Sequence, residues 1–389
     1  MSNLLLISKD ILIKDYLSPY GNVDYFTPNI SELASMGTIF KRHYTAAPST
    51  AMAFTSMFTG KYPYETDRKK YTEVDEYQGI TLFDRLYDQG YEVKVLWDQR
   101  YVYLAQRYSK CYGKHTQFYN VEWLTKDIPP HVPGKYDDLS YRNEYTEKLL
   151  IEIRKFLDRV VGNRDNVFLW IHLPHVLAGR NTYGSDIDIF DIIVGYCREY
   201  FNDNNIFITA DHGHMNGTHG KYGYGFDLYE QAINIPLITP KINSSDEILF
   251  PTSNIQLEEI VIDRKVTELP YVISETAYYE QPHRKLAIIQ GKYKYVYEKQ
   301  MDRRYIFDLS WDPYENVNFA YPEIYDVDRK QYFAISQRIH YKNWDVILSK
   351  LEELDSIRNK IWKNPTWYVD QYEKVKYVVK RMAVKLLKK

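Results

Sequence analysis

The sequence predicts an α/β fold with a doubly wound, mostly parallel sheet. Segments with the helical period of 3.6 residues alternate with short apolar runs, and this alternation is typical of parallel strands covered by helices on both faces. Four runs have the composition of strands buried on both faces, namely Leu4–Ser8, Glu92–Trp97, Val167–Leu173 and Ile206–Ala210. The helix-period segments are Ser31–Met36, Thr81–Gln89, Glu144–Val161 and Ile187–Phe201.

The pattern changes after Pro240. Residues 284–309 alternate in polarity around a turn signal at Gly291-Lys292, which predicts an antiparallel hairpin or small sheet. From about residue 336 the chain has helical periodicity to its end. We therefore predict a catalytic α/β core over 1–240, a C-terminal part with a small antiparallel sheet over 241–335, and a helical tail over 336–389.

The composition excludes several classes of protein. The 389 residues carry a net charge of −2, which gives no reason to expect nucleic-acid binding, and the two cysteines imply no disulfide framework. No apolar run reaches the roughly 18 residues of a membrane span. The first strand-like run begins at residue 3 without a basic leader, so we expect a cytoplasmic protein.

The last stretch, Glu373–Lys389, carries seven lysines and arginines beside an apolar helical face. One interpretation is a terminal helix packed on the body with a solvated basic side. The other is a peripheral anchor on anionic lipid.

Carboxylates and imidazoles follow the predicted strands. Asp10 follows the first strand, His172 lies inside the third and His175 just after it, and Asp211 and His212 follow the fourth. Because parallel strands end at the same edge of a sheet, these side chains are expected to lie together. Such ligands suit a divalent ion, whether Mn, Zn, Ca or Mg.

The stretch AAPSTAMAFTSMFTGKYP, at residues 46–63, is a further candidate for a functional segment. It places Ser49 and Thr50 before an apolar helix-like run. Such residues often cap a helix N-terminus, but a hydroxyl there can also be a nucleophile facing an anionic ester.

The order of motifs resembles the sulfatase family of the alkaline phosphatase superfamily. The resemblance rests on TPNISELASMG after the first strand, on residues 46–63, on ITADHGHMNGTHG with YE and PLI following, and on YIFDLSWDPYENVNFA near residue 320. It covers residues 3–321 and implies an alkaline-phosphatase-like fold. It also implies an enzyme that is a hydrolase or a phospho-group transferase.

The resemblance assigns roles residue by residue. It implies that one divalent ion is held by Asp10, Asp211, His212 and the oxygen of Thr50, the nucleophile, with Ser49 left as the capping residue. His219 would face the substrate or leaving group, and His172 and His175 would supply further contacts to the substrate. A second metal is possible, with candidate ligands Asp186, Asp188, His175 and His219.

The sequence departs from the sulfatase pattern at the nucleophile. Sulfatases convert a Cys or Ser within Cys-x-Pro-x-Arg to formylglycine, whereas this chain has Thr50, with Met52 and Phe54 in place of the Pro and Arg. Ile11 replaces the second metal aspartate, and Tyr224 stands where sulfatases often place a catalytic lysine. We expect Tyr224 to contact the substrate. Threonine occurs instead in phosphodiesterases and in phosphoglycerol and phosphoethanolamine transferases.

These features predict a metal-dependent enzyme that cleaves phosphodiesters through a phospho-Thr50 intermediate, with His219, His172 or His175 protonating the leaving oxygen. A phosphoglycerol or phosphoethanolamine group could then pass to a surface glycan, and the ester could be glycan- or lipid-linked. One alternative is a hydrolase of sulfate or phosphate monoesters. Another is a sulfatase-like module that binds without turnover.

Overall fold

The computed structural model describes residues 2–65, 77, 79–98, 109–121, 139–174, 183–276, 284–320 and 342–362. His175 and the basic stretch Glu373–Lys389, both singled out by the sequence, lie outside these residues. Among the helices within them, none is both long and apolar enough to cross a membrane.

An eight-stranded sheet forms the centre of the molecule. Its five neighbouring strands in the order β7-β1-β6-β4-β5 are all parallel, and β11 pairs antiparallel to β7 at one side. The predicted parallel sheet is therefore confirmed. The strands of the molecule are β1 Leu4–Lys9, β2 Thr38–Phe40, β3 His43–Tyr44, β4 Glu92–Asp98, β5 Gln117–Val121, β6 Val167–Leu173, β7 Ile206–Ala210, β8 Met215–Asn216, β9 Tyr222–Gly223, β10 Asn234–Ile235, β11 Leu237–Thr239, β12 Glu247–Ile248, β13 Thr252–Ser253, β14 Val272–Glu275, β15 Lys285–Gln290, β16 Tyr293–Glu298 and β17 Arg303–Asp308.

Helices cover both faces of this sheet, as a doubly wound fold requires. The helices are α1 Pro28–Met36, α2 Thr50–Thr59, α3 Leu82–Asp88, α4 Leu139–Val160, α5 Tyr183–Cys197, α6 Glu230–Ile233, α7 Leu257–Ile262 and α8 Trp344–Ile361. Side chains of α1, α4 and α5 share one hydrophobic cluster with the sheet. Those of α2, α3 and α7 share another. The parallel strands β1, β6 and β7 are consequently buried on both sides, which explains their largely apolar sequences.

The C-terminal part contains the predicted antiparallel sheet. Strands β14, β15, β16 and β17 pair in that order, and the β15–β16 hairpin turns at Gly291 and Lys292 as expected. Gly291 has a positive φ of 54°, which a glycine adopts without steric cost. Helix α8 packs on this sheet through Ile347 and Leu351.

The carboxyl ends of β1, β6 and β7 lie side by side. Ser8 on β1 is in register with His172 on β6 and with Thr209 on β7. Because these three neighbouring strands run in the same direction, the residues that follow them meet at one edge of the sheet.

Candidate active site

Thr50 is the first residue of α2, and Ser49 occupies the N-cap position with extended backbone angles. We expected the side chain of Ser49 to cap α2, and this prediction is wrong. The Ser49 hydroxyl makes no hydrogen bond to the helix and is buried with no partner among the described residues. The first turn of α2, which begins at Thr50, therefore has no side-chain cap from Ser49.

Asp10, Asp211 and His212 form a compact group at the ends of β1 and β7. One ligand atom from each lies within 4.8 Å of the others. His212 Nε2 is 3.6 Å from Asp10 Oδ1 and 3.5 Å from Asp211 Oδ2. Thr50 Oγ1 lies 3.2 Å from the same nitrogen. The structure thus brings together the four residues predicted to hold a metal, although their role as ligands stays a prediction.

The ring of His212 is held so that Nε2 has a lone pair. Its Nδ1 lies 2.8 Å from the carbonyl oxygen of Gly213, which can only accept a hydrogen bond, so Nδ1 carries the proton. In the neutral ring Nε2 is then unprotonated and points at Thr50, Asp10 and Asp211. In a metal-binding histidine, the ring nitrogen that does not face the metal usually donates its hydrogen to an acceptor such as a backbone carbonyl.

The carboxyl of Asp211 is completely buried. Burial raises its pKa to about 7, and the charge of Asp10 acts in the same direction against the lowering effect of His212. Asp211 Oδ1 accepts hydrogen bonds from the backbone N–H groups of Ile11 and His212, at 3.3 and 2.7 Å. Asp211 Oδ2 has no hydrogen-bond partner among the described residues. This buried acceptor beside a second carboxylate is what a divalent cation would satisfy.

Ile11 contributes through its backbone rather than through a carboxylate. Its φ is +52°, an uncommon value for a β-branched residue, and this conformation directs its N–H at Asp211. The sequence shows the loss of an aspartate at this position. It does not show that the backbone N–H of Ile11 still holds Asp211 in place through a hydrogen bond.

His172 lies beside this group in a hydrophobic setting. Its ring meets Phe54 edge-on, with ring centroids 4.7 Å apart. Burial lowers the pKa of His172 to about 3, so the ring is neutral at physiological pH. Phe54 stands where sulfatases have an arginine, and it places a hydrocarbon ring where that family has a positive charge.

His219 and Tyr224 occupy different environments. His219 has a φ of +54°, and its ring stacks on that of Tyr229 with centroids 3.9 Å apart. Burial lowers the pKa of His219, and the backbone of Tyr314 and the charge of Asp312 act against this effect. The role of His219 at the substrate stays a prediction. The Tyr224 ring lies 4.8 Å from the His212 ring and is 44% exposed, so it borders both the site and the solvent.

The residues suggested for a second metal are not assembled in the described parts of the chain. Asp186, buried at the start of α5, forms an ion pair with Lys9. Asp188 is exposed on the same helix, and His175 lies outside the described residues. Within those parts, Asp10, Asp211 and His212 form a group that could hold a metal ion.

Part of the amino-acid sequence is similar to that of the sulfatase family, whose model matches residues 2–183. These residues are somewhat less than half of the chain. The predicted resemblance to the sulfatase family and the alkaline phosphatase superfamily is confirmed, and with it the expectation of a hydrolase of that superfamily. Enzymes of the sulfatase family typically use a divalent metal ion. No curated protein sequence matches the chain significantly.

Solved structures agree with the sulfatase fold. A phosphonate monoester hydrolase of Agrobacterium radiobacter is 16% identical with a TM-score of 0.67, covering 93% of this chain and 96% of its own. A 2-O GAG sulfatase is 14% identical with a TM-score of 0.64, covering 90% and 92%. A third neighbour, solved with its substrate D-glucosamine-2-N,6-O-disulfate, is 14% identical with a TM-score of 0.56, covering 94% and 99%. At these identities the likeness establishes the fold.

Proposed function

We propose that this sulfatase-family protein hydrolyses phosphodiesters, with Thr50 as the nucleophile. The observation that carries the proposal is the 3.2 Å contact between the Thr50 hydroxyl and His212, beside the half-buried Asp10 and the buried Asp211 carboxylates. A hydroxyl at a helix N-terminus, next to groups suited to a divalent cation, is the arrangement needed to attack an anionic ester.

The identity of the nucleophile argues for a phosphorus ester over a sulfate ester. Threonine cannot be converted to formylglycine, the aldehyde with which the resembling sulfatases release sulfate. A threonine oxygen can attack phosphorus, displace the leaving alcohol and form a phosphothreonine. Water then attacks the same phosphorus, releases the product and restores the hydroxyl.

Asp10, Asp211 and His212 are the residues that would hold the metal, together with the Thr50 oxygen. A bound divalent ion would supply Lewis-acid stabilisation of the charge that develops on the ester and would favour ionisation of a coordinated hydroxyl. The chain itself orients Thr50 through α2 and His212 through the Gly213 carbonyl. Both constraints are present before any substrate binds.

The group that protonates the leaving oxygen stays a prediction among His172, His175 and His219. His172 lies next to the site, but burial lowers its pKa to about 3, so its neutral ring can donate a hydrogen bond to the ester but is not the acid that supplies a proton. The environment of His219 is formed by Tyr229 and by residues of the C-terminal part, so a role in protonation would require the substrate to extend toward it. Tyr224, on the solvent side of His212, is placed to contact the ester's substituent.

Hydrolysis of phosphonate or sulfate monoesters is the second candidate. It is favoured by the structural likeness to a phosphonate monoester hydrolase and to sulfatases. Transfer of phosphoglycerol or phosphoethanolamine to a glycan would need only an acceptor hydroxyl in place of water. A binding module without turnover would retain the metal group and lack all ester cleavage.

A substrate panel separates these possibilities. Bis-p-nitrophenyl phosphate, p-nitrophenyl phenylphosphonate, p-nitrophenyl phosphate and p-nitrophenyl sulfate are assayed with added Mn²⁺ or Zn²⁺. We expect diester cleavage to be fastest. Thr50→Ala should lose about 10³-fold or more in kcat, because loss of a nucleophile leaves only binding and electrostatic effects.

Thr50→Ser is the matched control, since it keeps the hydroxyl and should keep measurable activity. Dominant sulfate cleavage would favour the second candidate. Full activity in Thr50→Ala would contradict the proposal, and metal binding without turnover of any ester would support the binding module.

A further inference from the structure

A chain of three buried polar side chains lies behind His172. The indole N–H of Trp170 donates to Ser8 Oγ at 2.8 Å, and Ser8 Oγ lies 2.9 Å from His172 Nδ1. All three residues have at most 1% of their surface exposed, so solvent offers them no alternative partners. The hydroxyl of Ser8 and the indole N–H of Trp170 therefore depend on this chain for their hydrogen bonds.

The direction of each hydrogen bond follows from counting hydrogens. An indole N–H can only donate, so Ser8 Oγ accepts from Trp170. The single hydroxyl hydrogen of Ser8 needs an acceptor, and among the described residues His172 Nδ1 is its one remaining partner. A proton on Nδ1 would leave the Ser8 hydrogen buried and unpaired, which is costly. His172 Nδ1 is therefore the acceptor, and the ring's proton lies on Nε2.

This tautomer is the opposite of that in His212. His212 carries its proton on Nδ1, where the Gly213 carbonyl accepts it, and offers a lone pair from Nε2. His172 offers an N–H from Nε2, at the edge of its ring away from Ser8. The two histidines belong to neighbouring regions of one sheet edge, but one is prepared to bind a cation and the other to donate a hydrogen bond.

We propose that Ser8 is a positioning residue. Together with Trp170 it holds His172 in the tautomer that donates from Nε2 to an oxygen of the bound ester. The oxygens of an anionic phosphoester or sulfoester accept hydrogen bonds, so a lone pair at this place would repel the substrate and an N–H attracts it. The identity of the acceptor rests on the proposed function, whereas the tautomer does not.

The tautomer is measured directly by long-range ¹H–¹⁵N correlation spectra of the full chain with ¹⁵N-labelled histidine. The spectra are recorded at neutral pH, without metal and with Zn²⁺, and His172→Gln assigns the His172 signals. We expect Nδ1 to be unprotonated and Nε2 to be protonated. A protonated Nδ1 in the wild-type protein would overturn the proposal.

Two variants test whether Ser8 and Trp170 set the tautomer of His172. Ser8→Ala removes the donor to Nδ1, and Trp170→Phe keeps an aromatic ring but frees the Ser8 oxygen to accept from Nδ1. Both should show a population with the proton on Nδ1. Either variant suffices if the other does not fold, and an unchanged tautomer in a folded variant would overturn the proposal.

Thr209→Val is the matched control for loss of a buried hydroxyl. Thr209 lies opposite Ser8 in the sheet, and its hydroxyl bonds the Pro236 carbonyl at 2.9 Å. This variant should leave the tautomer of His172 unchanged.

Activity gives a second readout. Ser8→Ala should lower kcat on the diester by about tenfold or more with metal content unchanged, because one donor to the reacting group is lost. Wild-type kcat in Ser8→Ala would overturn the catalytic part of this proposal. If the wild-type protein shows the expected tautomer but cleaves no ester, the proposed function fails and the tautomer assignment stands.

Discussion

Two buried carboxylate clusters can be compared within this molecule. The metal-site cluster consists of Asp10, Asp211 and His212 at the edge of the parallel sheet. The lysine cluster consists of Glu230, Glu315 and Lys294, and it joins the start of α6 to the C-terminal sheet. In each cluster burial raises the pKa of one carboxyl, Asp211 or Glu315, to about 7.

The clusters differ in how their negative charge is balanced. Lys294 Nζ lies 3.0 Å from Glu230 and 2.7 Å from Glu315. Burial would raise the pKa of Glu230, but the charges of Lys294 and Lys14 outweigh it and the pKa is lowered. The lysine cluster thus contains its own cation, as a buried structural ion network must.

The metal-site cluster has no such partner for Asp211. Within the described residues no lysine or arginine forms a salt bridge with Asp211, and the groups that lower its pKa are His212 and the Thr50 hydroxyl. A buried carboxyl that the chain does not neutralise is either protonated or balanced by a bound cation. The lysine cluster is thus balanced within the chain, whereas the metal-site cluster leaves room for a cation, in agreement with its proposed role.

The largest expected effect is on the lysine cluster. Lys294→Met leaves the buried Glu315 and the half-buried Glu230 without their cation and should lower the free energy of unfolding by about 3–5 kcal/mol. Urea denaturation followed by circular dichroism measures the change. Lys241→Met is the control, because Lys241 pairs with the exposed Asp246 and its loss should have little effect. Equal stability of Lys294→Met and wild type would remove the distinction between the clusters.

Replacing a carboxylate by an amide should change the stability of the protein in opposite directions in the two clusters. Glu230→Gln removes a favoured charge and should destabilise the protein by about 1–3 kcal/mol. Asp211→Asn removes an unbalanced buried charge and should raise the melting temperature in the presence of a chelator at pH 8. Thermal unfolding of both variants with EDTA tests this. A lower melting temperature for Asp211→Asn would contradict the account.

The smallest effect concerns pH. The pKa of Asp211 in the folded, metal-free chain is raised to about 7 from an ordinary value of 3.8, so the ionised form costs stability as pH rises from 4 through 7. A metal must displace the Asp211 proton below that pH. Metal affinity should then weaken by up to about tenfold for each pH unit below 7. Calorimetric titrations at pH 5.5, 6.5 and 8 measure the trend, and affinity independent of pH would argue against Asp211 as a ligand.

The sequence was informative where periodicity and strand ends decide the structure. Val167–Leu173 and Ile206–Ala210 form strands with the predicted bounds, since both are apolar runs buried on two faces. Asp10, Asp211 and His212 lie at the same edge of the sheet because they follow neighbouring strands that run in parallel. Strand composition and motif order were sufficient for these features.

Other features depend on contacts that no local pattern encodes. Ser8 meets Trp170 and His172 only through the β1–β6 register. Lys294 reaches Glu230 across 64 positions of sequence. His219 has a left-handed backbone, at φ +54°, and stacks on Tyr229, and neither feature can be read from the sequence. A cluster of titratable residues in sequence therefore indicated the site, while its individual members had to be placed by the fold.

Metal binding by chelator-treated protein tests the central claim most directly. Isothermal titration with Zn²⁺ and Mn²⁺, supported by elemental analysis of the dialysed protein, gives the number of ions bound per chain. We predict one tightly bound ion in the wild type, none in Asp211→Asn, and one in Glu315→Gln, whose substitution lies in the lysine cluster. Wild-type protein that binds no divalent ion, or Asp211→Asn that binds one as tightly as wild type, would contradict the account.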